Sequence, residues 1–170
     1  MHRVLLLVIL LFSVSGRAVC AEEFNGKALF NQLKEFEGQW RIAEPARSVV
    51  VQFEVIANGS VITEMWRMPG ERSSLTIYSM DGNRLLVTHY CPQRNVPRLV
   101  CAGQDKYGVY RFEFLDGTNL QDRKASHMHA AWLQIMSKDS FIRNETYIEN
   151  GSKFVADEHN DAPMTYVRVK

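Results

Sequence analysis

Short segments of alternating apolar and polar residues, separated by glycine turns, dominate the sequence after Gly38. A two-residue alternation places successive side chains on opposite faces, as in a half-buried β-strand. Asn-Gly and Asp-Gly pairs supply the positive φ angles that tight hairpins require. Such pairs occur at Asn58-Gly59, Asp81-Gly82, Asp116-Gly117 and Asn150-Gly151. The pattern therefore predicts a succession of antiparallel hairpins.

The strand pattern recurs along the chain after Gly38. Trp40 is expected to open the first strand, and Phe154 is expected to lie near another. The remaining predicted strands are 49–56, 60–68, 73–80, 84–91, 99–102, 107–115, 128–136, 141–148 and 164–169. A meander of this many strands removes its exposed edges by closing on itself. We therefore expect an all-β fold, a single antiparallel up-and-down barrel of about nine or ten strands. The polar stretch 118–126 is expected to form a loop at the barrel mouth.

One helix is predicted, over residues 27–37, "KALFNQLKEFE". Its apolar residues recur at helical spacing and share one face. Asn25 is the expected N-cap, and Gly38 stands where a glycine ends a helix. This short N-terminal helix is expected to plug or flank one end of the barrel.

The first residues have the layout of a secretory signal peptide. Arg3 precedes an apolar run at residues 4–14, which is too short to span a bilayer, and small residues lead to an expected cut after Ala21. Cys20 raises the alternative of a lipoprotein anchor, but Arg17 and its neighbours do not match a lipoprotein signal. We therefore expect residues 1–21 to be a signal peptide, residues 22–170 to be one barrel domain, and the protein to be exported, periplasmic or secreted.

The charge distribution argues against two classes of partner. The chain has 20 basic and 19 acidic residues, and both Arg3 and Arg17 lie before the expected cut. No polybasic run is present, so we expect no nucleic-acid partner and no membrane association after cleavage. The sequence leaves the oligomeric state open. Three asparagines match the glycosylation sequon, Asn58, Asn144 and Asn150, and whether they are used depends on the host.

Two histidines lie two residues apart in "SHMHA". On a strand, His127 and His129 would share one face, with Cα atoms roughly 6–7 Å apart. Two such imidazoles can bind one metal ion, with His89 as the third ligand. In the alternative interpretation, both are polar residues of the pocket mouth. His129 is then expected to point inward, near His89, because apolar residues follow it on its own face, while His127 is expected to contact solvent.

Glu64 and Arg98 are the charged residues that stand out beside these histidines. Glu64 lies in the apolar strand "SVITEMW" and shares a face with Trp66. A carboxylate there is either a ligand anchor or base, or one half of a structural pair with Arg98 or a histidine. Asn95 and Arg98 follow in a turn, where Arg98 would clamp a ligand anion or satisfy turn carbonyls.

Cys91 and Cys101 flank that same turn. If they face each other, a three-residue loop joins the strands and a cross-hairpin disulfide can form, since export implies an oxidising compartment. Such a bridge would contribute roughly 2–3 kcal/mol. A catalytic thiol is the less favoured alternative, because neither cysteine has a paired base beside it in the sequence.

With the strands placed, the chain resembles a family of small exported, mainly bacterial proteins that have a lipocalin-like barrel and no assigned activity. The resemblance rests on "LKEFEGQW", "GSVITEMW", "THYC" followed by "NVPRL", and "DGTNL" followed by "HMH". The chain departs from the family at Val96, where a glutamine is usual. A more distant resemblance to nitrobindin-like barrels implies haem, although "GQWRIAE" replaces their glycine-rich tryptophan motif.

Two classes of function follow from these observations. The leading hypothesis is a binding protein for a small apolar or amphipathic ligand, contacted by Glu64, Trp66, His89, Asn95, Arg98, His127 and His129. Strand aromatics would line its cavity or fill the core. The competing class is a zinc or haem protein, or a small hydrolase or isomerase, built on the same corner. We expect no cofactor under the first hypothesis and favour binding over catalysis.

Overall fold

The computed structural model describes residues 24–44, 46–67, 73–150, 152–153 and 162–170. The predicted signal peptide and Phe154 lie outside these residues. One helix is followed by eleven strands in the described part of the chain. Their bounds are α1 Lys27–Lys34, β1 Gly38–Glu44, β2 Val50–Ile56, β3 Val61–Arg67, β4 Ser73–Asp81, β5 Arg84–Tyr90, β6 Val96–Gln104, β7 Val109–Thr118, β8 His127–Ser137, β9 Ser140–Glu149, β10 Ser152–Lys153 and β11 Met164–Arg168.

These strands form a closed antiparallel barrel of ten strands, which confirms the predicted fold class. From β1 to β10 each strand pairs with the next one in the chain, while β11 pairs with β9 and with β1 and so closes the barrel. The two-residue β10 pairs with the end of β9, in line with β11. In the described part of the chain, closure leaves no long edge along which another chain could add a strand.

Helix α1 covers one end of the barrel, which we call the helix end. The side chains of Leu29, Phe30, Leu33 and Phe36 are buried, as the apolar pattern predicts. The Phe36 ring stacks on Phe141 of β9, with ring centroids 4.6 Å apart. The helical face therefore closes the core at this end.

Arg168, near the end of the described chain, ties the helix end together. Its guanidinium donates to the carbonyls of Glu35, Glu37 and Lys138 at 2.6, 2.8 and 3.0 Å. It also lies 4.5 Å from the Trp40 ring centroid, a cation–π contact. One side chain thus joins the segment after α1 to the β8–β9 turn.

The predicted element bounds differ from the structure at two glycines. The helix ends at Lys34 rather than at residue 37, because the amides of residues 35–37 donate to carbonyls three residues back, and β1 begins at Gly38, whose φ is 121°. Asp116-Gly117 does not form a turn but lies inside β7. A Cβ on Gly117 would lie 2.4 Å from Cδ1 of Leu120, so this glycine allows the following loop to pack closely.

The opposite end of the barrel, which we call the far end, carries the 91–95 turn and the 119–126 loop, at the place predicted for a mouth loop. The two segments contact each other, since Asn119 Nδ2 donates to the Arg94 carbonyl at 3.4 Å and Ser126 Oγ to Gln93 Oε1 at 3.2 Å. In the described residues, no helix has the length and apolar composition needed to cross a bilayer.

Candidate functional site

A buried ion pair between Arg143 of β9 and Glu64 of β3 lies inside the barrel. Arg143 Nη1 contacts both Glu64 carboxylate oxygens at 2.6 Å, and the two side chains are 8% and 0% exposed. Trp66 Nε1 and the Tyr78 hydroxyl each donate to one Glu64 oxygen at 2.5 Å. Arg143 Nη2 also donates to the Tyr166 hydroxyl at 3.2 Å. Both Glu64 oxygens are therefore satisfied by fixed donors.

The surroundings of this pair keep both members charged. Burial alone would raise the pKa of Glu64, but the Arg143 guanidinium and the donated hydrogen bonds lower it overall. Burial opposes the charged form of Arg143, yet Glu64 raises its pKa well above the usual value. Burial and the neighbouring carboxylate raise the pKa of Tyr78, so the phenol stays neutral.

A second polar branch leads from Arg143 to His89. Glu145 Oε1 accepts from Arg143 Nη2 at 3.0 Å, and the Tyr147 hydroxyl donates to Glu145 Oε2 at 3.3 Å. The Tyr147 oxygen lies 3.4 Å from His89 Nε2, and His89 Nδ1 lies 2.9 Å from Thr76 Oγ1. Burial lowers the pKa of His89 despite the nearby Glu145, which favours the neutral imidazole.

A small cavity of about 20 Å³ lies beside this network. Polar groups of Thr76, Tyr78, Arg143 and Glu145 line one part of it. Its apolar lining consists of Val87, Leu99, Phe112, Met128, Ala131 and Leu133. Among the described residues, Arg143 Nε has no hydrogen-bond partner, but this atom is enclosed by the protein rather than exposed to the cavity. The lining of the cavity is thus mainly apolar and includes the charged residues Arg143 and Glu145.

The cavity lining differs from the set of residues that the sequence indicated. Glu64 and Trp66 belong to the ion-pair network, and Glu64 pairs with Arg143 rather than with Arg98 or a histidine. His89 belongs to the second branch and contacts the cavity wall through Thr76. These three residues therefore lie together inside the barrel, next to the residues that line the cavity.

His127 and His129 form a separate pair near the far end. His127 Nε2 lies 3.1 Å from His129 Nδ1, and His127 Nδ1 lies 2.6 Å from the Ala125 carbonyl. Both rings also contact Phe114, at centroid distances of 4.5 and 5.3 Å. The hydrogen bonds of His127 and His129 go to partners other than those of His89. These hydrogen bonds therefore do not support the prediction that His89 and His129 lie close together.

The predicted exposure of the two histidines is reversed. His127 is 0% exposed, whereas His129 is only partly buried. His127 is buried because it contacts the Ala125 carbonyl and the Phe114 ring. For His129 the reason is a bulge in β8, where Met128 pairs with Tyr147 but Ala130 pairs with the adjacent Thr146. The extra residue breaks the strict alternation on which the prediction for His129 depended.

Asn95 and Arg98 occupy different surroundings. Asn95 is buried and its Nδ2 donates to the Ser126 carbonyl at 2.6 Å, which fixes the far-end loop. Its Oδ1 has no partner among the described residues. Arg98 lies on the exposed surface and makes two hydrogen bonds to Asp116 at 2.5 Å. Arg98 is therefore not directed at the cavity.

The two cysteines are free thiols, and the predicted facing register is wrong. Leu86 pairs with Val100 and Thr88 with Arg98, so Cys101 lies near the helix end while Cys91 lies at the far end. The turn occupies residues 91–95, where the Cys91 amide bonds to the Asn95 carbonyl at 3.1 Å. Burial raises the pKa of Cys101 to about 11, which makes it a poor nucleophile.

The two central charged residues of β9 were not predicted from the sequence. Arg143, Glu145 and Tyr147 alternate with Asn144 and Thr146, so both faces of this strand carry polar residues. The alternation alone could not say which face is inside. The useful signal was Phe141, an apolar residue in phase with the charged set and buried in the core.

Within the described residues, no three or more His, Cys, Asp or Glu side chains form a group that could hold a metal ion. The alternative set of His89, His127 and His129 is thus not assembled as a metal site. No protein-family model and no curated protein sequence matches this chain. The assignment of a function therefore depends on the barrel and on the chemistry of its interior.

Proposed function

We propose that this protein is a binding protein that holds a small, partly apolar molecule inside the barrel. The observation that carries the proposal is the mixed lining of the cavity. Apolar side chains such as Leu99 and Phe112 form most of this lining, and Arg143, Glu145, Tyr78 and Thr76 complete it. Such a lining, apolar with a few fixed polar groups, is typical of ligand sites.

The fixed position of Arg143 supports the same proposal. Its guanidinium is held by Glu64, Glu145 and Tyr166, so this charged part of the lining is already oriented before a ligand arrives.

The size of the cavity determines how a ligand enters. A volume of about 20 Å³ holds one or two water molecules. A larger ligand must therefore displace a side chain, and Met128 is the most suitable one because its unbranched thioether changes rotamer easily. We propose that the apolar part of the ligand takes the space of the Met128 side chain.

Calorimetric titration with 1-hexanol tests this proposal. Met128→Ala enlarges the cavity and should bind 1-hexanol more tightly than the wild-type protein. Ala131→Leu fills the cavity and should abolish binding. Ala130→Leu is the matched control, since Ala130 is opposite Thr146 and is absent from the cavity lining. Equal affinities in all four proteins would contradict an interior site.

We also propose that the protein is exported and cleaved after Ala21. The support is the sequence of residues 1–21, with its apolar run and small residues before Glu22. Intact mass of the protein recovered from the exporting cell tests this directly. The proposal predicts a chain that begins at Glu22, and retention of residues 1–21 would contradict it.

A further inference from the structure

We propose that the ligand of the interior cavity carries a protonated amine rather than a carboxylate. This inference rests on the proposed binding function and names the chemical class that the site accepts. It follows from the balance of charges and from the direction of the hydrogen bonds around Glu145.

Among the residues that the structure describes, the buried network contains more negative than positive charge. Glu64 and Glu145 are both within 3.0 Å of the single Arg143 guanidinium. Glu64 is 0% exposed and has short contacts with Arg143 on both oxygens, so this pair is balanced internally. Glu145 is the excess carboxylate, and its side chain is 17% exposed and lines the cavity.

The hydrogen bonds of the second branch point toward this excess carboxylate. Since the Tyr147 hydroxyl donates to Glu145, its oxygen is available to accept from His89 Nε2–H. His89 Nδ1 then accepts from the Thr76 hydroxyl. Glu145 thus accepts hydrogen bonds from both Arg143 and Tyr147, and the neutral His89 adds no compensating cation.

The cavity therefore presents a fixed anion to whatever enters it. A ligand carboxylate would place a second uncompensated negative charge beside Glu145 in an environment of low polarity. A protonated amine would neutralise the excess charge and make a charge-assisted hydrogen bond to Glu145.

Three probes with one hydrocarbon chain separate these possibilities: hexylamine, 1-hexanol and hexanoate, titrated by calorimetry at neutral pH. Hexylamine is protonated under these conditions. We expect hexylamine to bind most tightly, 1-hexanol less tightly and hexanoate least. Glu145→Gln should weaken hexylamine by about ten- to hundredfold and change 1-hexanol by less than about threefold. Glu145→Asp, which keeps the charge, should restore the order of the three probes.

Glu113→Gln is the matched control, because it removes an exposed carboxylate from the outer surface of β7. If Glu113→Gln weakens hexylamine as much as Glu145→Gln does, the preference is a general surface effect and the inference is overturned. The inference also fails, with binding retained, if hexanoate binds most tightly or if Glu145→Gln leaves hexylamine unchanged. If none of the three probes binds, the proposed function itself fails.

Discussion

Removal of Arg143 should destabilise the barrel more than removal of its partner Glu64. Arg143→Met leaves two carboxylates, Glu64 and Glu145, without a cation, and Glu64 is 0% exposed. Loss of one partner of a buried ion pair costs about 3–5 kcal/mol. That is a large share of the roughly 5–15 kcal/mol by which a domain is stable.

Glu64→Gln should lower the free energy of unfolding by less than Arg143→Met does, because Arg143 keeps Glu145 as a partner at 3.0 Å. The loss is then that of charge-assisted hydrogen bonds, about 1.5–3 kcal/mol. The assay is urea unfolding followed by tryptophan fluorescence, with the free energy of unfolding extrapolated to water. Arg111→Met is the control, since its side chain is 58% exposed and pairs with Asp105 at the surface. It should unfold at nearly the wild-type urea concentration.

The difference in the free energy of unfolding between the wild-type protein and Arg143→Met should depend on pH. In the wild-type protein the pKa of Glu64 is lowered, so its stabilising contribution is present above the unfolded value of about 4.5 and is lost as pH falls through the folded pKa. Without Arg143, burial raises the pKa of Glu64, so the penalty appears as pH rises and disappears in acid. The difference should narrow between pH 7 and pH 4. A larger cost for Glu64→Gln than for Arg143→Met, or a difference that widens in acid, would refute this reasoning.

Three further results are expected. Arg168→Lys keeps the charge but loses the fork that joins the helix end, so the free energy of unfolding should fall by about 1–2 kcal/mol in the same urea assay. Gly26→Ala places a Cβ 2.7 Å from Leu85 Cβ and 2.8 Å from its backbone nitrogen, and this overpacking should lower the melting temperature, with a cost of about 1–3 kcal/mol; an unchanged melting temperature would show that the helix end is loosely packed. Thiol titration of unreduced, denatured protein that begins at Glu22 should find Cys91 and Cys101 both free, and a titre near zero would mean that they are bridged.

The fold was predictable because its signals are local. Alternating strands and Asn-Gly or Asp-Gly turns each depend on a few neighbouring residues, and they gave the barrel and the apolar face of α1. The turn predicted at Asp116-Gly117 was wrong because Gly117 lies inside a strand, where it makes room for Leu120. An Asp-Gly pair has the same local sequence in a turn and in a strand, so the pattern cannot distinguish the two.

The site was predictable only in part because its contacts are distant in sequence. The apolar strand around Glu64 correctly indicated that this carboxylate needs a partner. Arg143 lies 79 residues away on a strand that is not a neighbour of β3 in the sheet, so no spacing rule identifies it. The prediction for His129 was wrong because of a β-bulge, which shifts the alternation without a sequence signal that strand patterns detect.

The most direct test of the interior site is a methionine-methyl NMR spectrum recorded during titration with hexylamine. Met128 lines the cavity and is buried, whereas Met136 is 56% exposed on the same strand. Assignment by Met128→Leu and Met136→Leu separates the two signals. If hexylamine binds inside the barrel, the Met128 methyl resonance shifts and saturates while that of Met136 stays in place. A shift at Met136 with no change at Met128 would contradict binding inside the barrel.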